Sequence, residues 1–339
     1  MPEKMKAVLI DEFGPSKNLR IGFIDVPNPG PGQVLIRTAY ASVNPADWKI
    51  RSGMLPLMQG ESFPVILGMD LSGVIAAVGS GVDDFKVGDR VAALTSVGLD
   101  DGAKGSYAEY CCTSAVRVVH IPDHVTLEEA ATIPTAAASG GGAIVDIAQV
   151  KAGDLIFFNG ASGSLGTFAV QFLKTLGAKV AATCSTAHIG RLQAFGIDRI
   201  IDYSAENVLD AVSAWAPSGV DVIIDAVGLH SLPRNAPDVI RDGGKLVFIQ
   251  NLITDQNAFD IEGAAKRNIR IIDNVFGTPN VGTHLFQVEG FRQIAAAVAR
   301  GSITVPPYKI MPIEEVAQAH DEVEDGHFRH KILLRLSGS

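Results

Sequence analysis

The stretch Asn159-Gly160-Ala161-Ser162-Gly163-Ser164-Leu165-Gly166 lies between an apolar run and a helical pattern. Gly160 and Gly163 allow the backbone to turn sharply and approach a ligand, and Gly166 allows the helix to pack close to the strand. The start of that helix offers unpaired N–H groups and the positive end of its dipole. The pattern predicts a pyrophosphate-binding turn, formed by Gly160, Ala161, Ser162, Gly163, Ser164 and Leu165. Because the spacing G-x-x-G-x-x-G is unusual, a glycine-rich turn without a ligand is the alternative.

Strands and helices alternate on both sides of this turn. Strands are expected at 154–159, 179–185, 199–203, 220–227, 245–250 and 269–275. Helices are expected at 165–176, 189–195 and 206–215, and residues 237–241 are expected to form the end of a further helix. Alternation with short connections predicts a parallel sheet covered on both faces. This context strengthens the prediction of a ligand at the turn.

The first 125 residues or so follow a different pattern of short apolar runs separated by Gly and Pro, which predicts a β-rich, barrel-like domain. A last strand at 331–336 is expected to return to that domain, so that the α/β part is inserted in it. The predicted domains are 1–128 (β-rich), 129–278 (α/β) and 279–339 (return to the β-rich domain).

Composition excludes several classes of protein. The 339 residues carry 28 Lys and Arg against 37 Asp and Glu, a net charge of −9, with 47% hydrophobic and 19% charged residues. These values argue against disorder and against nucleic acid as a partner. Three cysteines form no C-x-x-C pair, which favours reduced thiols. No apolar leader and no run of about 18–20 apolar residues is found, so we expect a cytoplasmic protein and no membrane partner.

The end of the second α/β strand indicates which dinucleotide binds. An Asp or Glu at this position binds the ribose hydroxyls of NAD and repels a 2′-phosphate. Here Ser185 follows the strand, with His188 and Arg191 nearby, so a hydroxyl and cations favour NADPH. Tyr203, at the end of the third strand, is expected to cover the adenine. Alternatively, Arg191 is only a solvated helix residue.

The ends of the fourth and fifth strands lie on the same carboxyl edge of the sheet, where ligands bind in open α/β folds. We assign the nicotinamide half of the coenzyme to the following residues: Ala226, Val227, Gly228, Gln250 and Asn251. Packing would explain Val227 equally well.

Four segments resemble the medium-chain dehydrogenase/reductase superfamily, in its zinc-independent NADPH:quinone oxidoreductase-like branch. They are Val34–Gly53, which contains Ser42-Val43-Asn44-Pro45-Ala46-Asp47-Trp48-Lys49, then Gly68–Gly73, Val87–Val91 and the Gly160–Gly166 turn. The resemblance covers essentially the whole chain. It implies an α/β fold in which a GroES-like catalytic domain surrounds, in sequence, a Rossmann-type domain with a doubly wound parallel sheet. It also implies an active site in the cleft between them, and a homodimer.

Zinc is not expected. Zinc-dependent relatives have a Cys where Asn44 lies and Gly-His-Glu where this chain has Gly68-Met69-Asp70. A catalytic zinc needs three N, S or O ligands and an open position. The adjacent Cys111 and Cys112 point to opposite faces of a strand and do not chelate one ion together.

Without a metal to polarise a carbonyl, the hydride acceptor should already be electrophilic, as a quinone or an enone or enal is. Negative charge then develops on an oxygen, which hydrogen-bond donors stabilise. The candidate catalytic residues are Asn44, Trp48 and Lys49. Asn44 resembles the family's recurring active-site Asn, although a structural Asn in the Asn44-Pro45 turn is equally consistent. Asp47 is expected to cap the following helix.

One segment departs from the family. Relatives have a threonine and a large aromatic residue in the helix after the Ile133-Pro134 position. Here Ser139 would replace the threonine as a cofactor contact, and Gly141 removes the large side chain. The run of three glycines, each costing about 1 kcal/mol in a helix, predicts a wider or more mobile pocket.

Three hypotheses follow. The leading one is an NADPH-dependent reductase of quinones or activated alkenes, with a small-molecule electrophile as its partner. The second is an NADP(H)-binding sensor or structural protein with little turnover. The third is a zinc alcohol dehydrogenase with unusual ligands.

Overall fold

The computed structural model describes residues 2–55, 62–95, 105–228, 231–249, 259–272, 288–326 and 330–336. The chain forms two compact units: Met1–Thr135 with Val305–Ser339, here the first unit, and Ala136–Thr304, the second unit. These divisions come later than the predicted ones at 128 and 278. The second is later because helix Val288–Ala299 packs within the second unit, on helix Ser164–Thr175 and the segment Ala143–Ala148.

The first unit is rich in antiparallel strands, as its short apolar runs predict. Its strands are β1 (Lys4–Ile10), β2 (Arg20–Asp25), β3 (Gln33–Val43), β4 (Val65–Ile66), β5 (Asp70–Val78), β6 (Arg90–Leu94), β7 (Tyr110–Ser114), β8 (Val118–His120), β15 (Tyr308–Pro312) and β16 (Lys331–Arg335). Its helices are α1 (Pro45–Arg51), α2 (Leu127–Ala131) and α9 (Val316–Glu324). The larger sheet has the order β15-β16-β3-β5-β6-β8, with β7 also paired to β3.

The late strand β16 pairs antiparallel with β3, so the end of the chain returns to the β-rich unit as the sequence predicts. Apolar side chains of several strands form one core in this sheet, including Val34, Ile36, Leu71 and Val91. Since β3, β5 and β16 are neighbours, the residues at their ends are brought together. Asn44 follows β3, Asp70 begins β5 and Lys331 begins β16.

The second unit contains a six-stranded parallel sheet. Its strands are β9 (Leu155–Asn159), β10 (Lys179–Cys184), β11 (Arg199–Asp202), β12 (Val220–Asp225), β13 (Ile240–Phe248) and β14 (Arg270–Ile272). Its helices are α4 (Ser164–Thr175), α5 (Ile189–Ala194), α6 (Val208–Trp215), α7 (Ile261–Lys266) and α8 (Val288–Ala299). The order β11-β10-β9-β12-β13-β14 is that of a doubly wound Rossmann sheet. The predicted fold class is confirmed.

Two local details differ from the expectations. Residues 237–241 do not end a helix: a 3₁₀ turn at Ala236–Val239 leads directly into β13, because Ile240 already pairs with Val220 on β12. Before β9, helix α3 (Pro134–Gly142) continues into a π-helical turn, Ala143–Ala148. In the described residues, no helix is both long enough and apolar enough to cross a bilayer.

Candidate functional site

The glycine turn connects β9 to α4, as the sequence predicts. Gly160 has a φ of +91°, a conformation that side chains rarely adopt. A Cβ on Gly166 would lie 2.5 Å from the Gly160 carbonyl oxygen and 2.6 Å from the Ala161 Cα, so only glycine lets the helix approach the turn this closely. These two glycines therefore have the roles that the motif assigns to them.

Gly163 is the N-cap of α4 and is exposed. A Cβ built on it would meet only the Gly160 carbonyl oxygen, at 3.9 Å, so the space above the turn is open. The first N–H groups of a helix have no partner within it and are available to a ligand. Ser162, Ser164 and Leu165 are partly exposed beside it, whereas Ala161 is buried. The turn has the shape and polarity required to bind a phosphate.

Arg191 of α5 reaches back to this turn. Its Nη2 donates a hydrogen bond to the Ser162 carbonyl, and its buried Nε has no partner among the described residues. Desolvation lowers the pKa of the guanidinium, which nevertheless stays charged. Ser185 is the N-cap of the 3₁₀ turn Thr186–His188, which precedes α5. The three residues predicted to favour a 2′-phosphate are thus grouped at one end of β10, and Arg191 is more than a solvated surface residue.

Sequence reasoning missed Asp202, which is the register partner of Cys184 on the neighbouring strand β11. Its carboxylate accepts hydrogen bonds from the Thr186 hydroxyl (2.5 Å) and the Ser204 N–H (2.9 Å). These hydrogen bonds lower the pKa of Asp202, so it is ionised near neutral pH. Tyr203, the next residue, is 58% exposed, which leaves its ring free to cover a ligand.

The loop after β12 lies directly against the glycine turn. A Cβ on Gly160 would lie 2.4 Å from the Val227 Cγ2, yet Val227 is 56% exposed, so it packs on the turn and also faces outward. Ala226 donates its N–H to the Asn159 carbonyl (3.1 Å), and Gly228 follows with a φ of +131°. Gln250 and Asn251 lie outside the described residues.

Ser139 lies on α3 with 2% exposure, and its buried hydroxyl has no hydrogen-bond partner among the described residues. The glycines that follow it have a packing reason. A Cβ on Gly140 would be 3.2 Å from the Ala169 Cβ, and one on Gly141 would be 2.5 Å from the Gly290 backbone. Helix packing therefore accounts for Gly140 and Gly141, two of the three glycines in this run.

Asn44, in the first unit, is joined to Asp70 and Lys331. Its Nδ2 donates to Asp70 Oδ2 (2.9 Å) and, more weakly, to the Ser42 carbonyl (3.5 Å), while its Oδ1 accepts a hydrogen bond from Lys331 Nζ. Lys331 Nζ is also 3.5 Å from Asp70 Oδ2. Both ends of the Asn44 carboxamide are engaged inside the protein, and the residue is only 3% exposed.

Asp70 also organises the start of α3. Its Oδ1 accepts hydrogen bonds from the Thr135 N–H (2.8 Å) and the Thr135 hydroxyl, and its Oδ2 accepts one from the Ser42 hydroxyl (2.7 Å). The carboxylate is fully buried. No local pattern pointed to Lys331 or Thr135, because both reach Asp70 from distant parts of the chain.

Helix α1 presents Trp48 and Lys49. Lys49 Nζ lies 5.8 Å from the centre of the Trp48 ring, and desolvation lowers the pKa of its ammonium. Both residues are partly exposed, unlike Asn44. Asp47 accepts a hydrogen bond from the Asn44 N–H (2.7 Å), which supports the start of α1 as the sequence predicts.

Histidine and cysteine side chains form no metal centre in the described ranges, where no group of three or more His, Cys, Asp or Glu residues is arranged around one point. Cys111 and Cys112 are buried on β7, and His120 stacks on Phe85 with ring centres 4.6 Å apart.

Both units of the chain match families of known proteins. Residues 30–123 match the family "Alcohol dehydrogenase GroES-like domain", and residues 164–288 match "Zinc-binding dehydrogenase". A quinone oxidoreductase of Pongo abelii is 30% identical over 336 residues, which are 95% of this chain and 94% of that protein. An NADPH-dependent alkenal/one oxidoreductase of Arabidopsis thaliana chloroplasts is 33% identical over 259 residues, 75% of this chain and 64% of that protein.

Among solved structures, the quinone oxidoreductase from Coxiella burnetii superimposes with a TM-score of 0.83 at 28% identity, over 98% of this chain and 100% of that one. The chain therefore belongs to the medium-chain dehydrogenase/reductase superfamily, in its quinone oxidoreductase-like branch. It is an oxidoreductase.

Proposed function

We propose that this protein is an NADPH-dependent oxidoreductase that transfers hydride to a quinone or an activated alkene without zinc. The observation that carries the proposal is the Arg191 guanidinium held against the glycine turn, beside a strand end that has Ser185 in place of an acid. Relatives named as quinone and alkenal/one oxidoreductases support the same substrate classes.

In this proposal, the turn from Gly160 to Leu165 binds the pyrophosphate of the coenzyme. The N–H groups of Ser162, Gly163, Ser164 and Leu165 donate to it, because those of Gly160 and Ala161 already donate to Thr183. Arg191, Ser185 and His188 bind the 2′-phosphate, because an anion there is stabilised by a cation and hydroxyl donors. Tyr203 covers the adenine. Ala226, Val227, Gly228 and the orphan hydroxyl of Ser139 face the nicotinamide half, and Gln250 and Asn251 remain predictions for that half. When bound, NADPH would supply the hydride.

The candidate donors for the oxygen on which charge develops lie on helix α1 and at its start. The internal engagement of the Asn44 carboxamide supports Lys49 and Trp48 as the donors that touch the acceptor. Asn44 instead supports the start of helix α1, where its N–H donates to Asp47. Lys49 is partly desolvated, and its lowered pKa makes its proton easier to give up to the reduced product.

A catalytic zinc does not fit the residues near Asn44. The ammonium of Lys331 is bound to the Asn44 Oδ1 and lies 3.5 Å from Asp70, so a dication would meet a buried positive charge. Asn44 and Met69 also lack the thiolate and imidazole donors that zinc prefers. The residues around Asn44 are therefore unsuited to a catalytic zinc, despite the name of the matched family.

The test is NADPH oxidation followed by absorbance with 1,4-benzoquinone and with a 2-alkenal, in protein whose metal content is measured. Turnover with at least one acceptor and no stoichiometric zinc is expected. Tight NADPH binding with flat absorbance for every acceptor would favour the sensor hypothesis. Stoichiometric zinc required for activity would favour the alcohol dehydrogenase hypothesis.

A further inference from the structure

A chain of hydrogen bonds runs beneath the glycine turn and joins three strand ends. The Gly160 N–H donates to the Thr183 hydroxyl (2.9 Å), and that hydroxyl donates to Asn159 Oδ1 (2.7 Å). Asn159 Nδ2 then donates to Asp225 Oδ1 (2.9 Å) and to the Ser231 hydroxyl oxygen (2.8 Å). Each donor in this series of hydrogen bonds is directed from the turn toward the Asp225 carboxylate.

Asp225 is the end point of that chain and also holds the loop after β12. Its Oδ1 accepts the N–H groups of Val227 (3.0 Å) and Gly228 (3.3 Å), and the Ser231 hydroxyl donates to the Gly228 carbonyl (2.5 Å). The carboxylate is 0% exposed, and no Lys or Arg in the described ranges forms an ion pair with it. Burial raises its pKa, and the hydrogen bonds from Val227, Asn159 and Gly228 oppose that rise.

A buried carboxylate without a cation is costly unless its hydrogen bonds are satisfied, so its donors are held in one arrangement. The turn at Gly160 and the loop at Val227 are therefore fixed by the same anion. The Val227 side chain also rests on Gly160, so the two segments are connected by packing as well.

We propose that Asp225 is a positioning residue that couples the phosphate turn to the loop after β12. This inference rests on the proposed function, in which these segments bind the two halves of one coenzyme. Asp225 does not touch the coenzyme. It sets the distance between the glycine turn, which binds the pyrophosphate, and the loop after β12, which faces the nicotinamide.

The experiment measures dissociation constants by calorimetry for NADPH and for adenosine 2′,5′-bisphosphate, which lacks the nicotinamide half. The variants are Asp225→Asn, Thr183→Val and their double mutant. Thr113→Val is the matched control, because that buried threonine also donates an internal hydrogen bond (to the Leu94 carbonyl, 3.0 Å) but lies in the first unit. Ser231→Ala removes an exposed member of the network and keeps the test available if Asp225→Asn does not fold.

We expect Asp225→Asn to weaken the binding of NADPH about tenfold and the binding of the bisphosphate by less than about twofold. Ser231→Ala should weaken the binding of NADPH about threefold. Thr183→Val should weaken both ligands. Because either change breaks the same chain, the double mutant should lose less NADPH affinity than the product of the two single losses.

Equal weakening of both ligands by Asp225→Asn or Ser231→Ala, or a double mutant equal to the product of the single effects, overturns this inference and leaves the proposed function standing. A wild-type protein that binds neither coenzyme overturns both. Thr113→Val is expected to change neither dissociation constant.

Discussion

Gly141 of α3 and Gly290 of α8 touch backbone to backbone. A Cβ on Gly141 would lie 2.5 Å from the Gly290 carbonyl carbon, and one on Gly290 would lie 2.2 Å from the Gly141 carbonyl carbon. Neither contact is relieved by turning a flexible side chain, because the opposing atoms are backbone. The glycines that interrupt the helical pattern of α3 are therefore the residues that allow two helices to cross closely.

Gly141→Ala should lower the free energy of unfolding by about 1–3 kcal/mol, since the helices must separate to admit a methyl group. The matched control is Gly190→Ala in α5, where no atom lies within 4 Å of the added Cβ. That change should raise stability by up to about 1 kcal/mol through helix propensity. Urea denaturation measures both, and equal effects of the two variants would refute the packing argument.

Arg191→Ala should lower the affinity for NADPH about tenfold to a hundredfold, because a charge-assisted hydrogen bond to the 2′-phosphate is lost. The affinity for NADH, which has no 2′-phosphate, should change by less than about twofold. Arg241→Ala is the control: Arg241 lies near the amino end of β13, at the opposite edge of the sheet, and pairs with Asp221. Calorimetry with both coenzymes measures the effect. A parallel loss for NADPH and NADH would show that Arg191 only supports the turn.

Lys331→Met should lower the free energy of unfolding by about 3–5 kcal/mol, because it leaves Asp70 buried without its cation. The double variant Asp70→Asn, Lys331→Met should cost less than Lys331→Met alone, since the uncompensated charge is gone. Lys309→Met, which breaks an exposed pair with Glu322, should cost less than about 1 kcal/mol. If Lys331→Met is no more destabilising than Lys309→Met, the ammonium has no such structural role.

Asp47 and His320 should give opposite dependences of stability on pH. Burial raises the pKa of Asp47 to about 7 from 3.8, so the folded protein keeps a proton that the unfolded chain loses. Stability from Asp47 therefore falls as pH rises from about 4 to 7. Burial lowers the pKa of His320 to about 3 from 6.5. Between these two values the unfolded chain binds a proton at His320 that the folded protein does not bind. Stability from His320 therefore rises as pH rises from about 3 to 6.5.

The two trends largely offset each other in the wild-type protein and are separated by single substitutions. Asp47→Asn should become more stable as pH rises from 4.5 to 6, and His320→Gln should become less stable, each by at most about 1.4 kcal/mol per pH unit relative to wild type. Urea denaturation across that range measures both slopes. Slopes of the same sign in the two variants would contradict the assignment.

Local patterns predicted most elements of both units. The alternation of apolar runs and helical segments located β9 to β12 and α4 to within a few residues, because these elements depend on local propensity and on burial of one repeated face. The predicted start of β13 was wrong, because the pairing of Ile240 with Val220 overrides a locally helical pattern. The glycine turn was located correctly, because each glycine meets a local backbone requirement that the sequence displays.

What the sequence determined by itself is the order of elements, a parallel sheet covered by helices and the phosphate-type turn, since all three follow from periodicity and glycine spacing over short stretches. Only the tertiary structure decided that Arg191 reaches the Ser162 carbonyl, that Gly141 meets Gly290, and that Lys331 binds Asn44 from 287 residues away. Such contacts depend on which strand ends and helix faces become neighbours. No local pattern contains that information, because it arises when the whole chain packs.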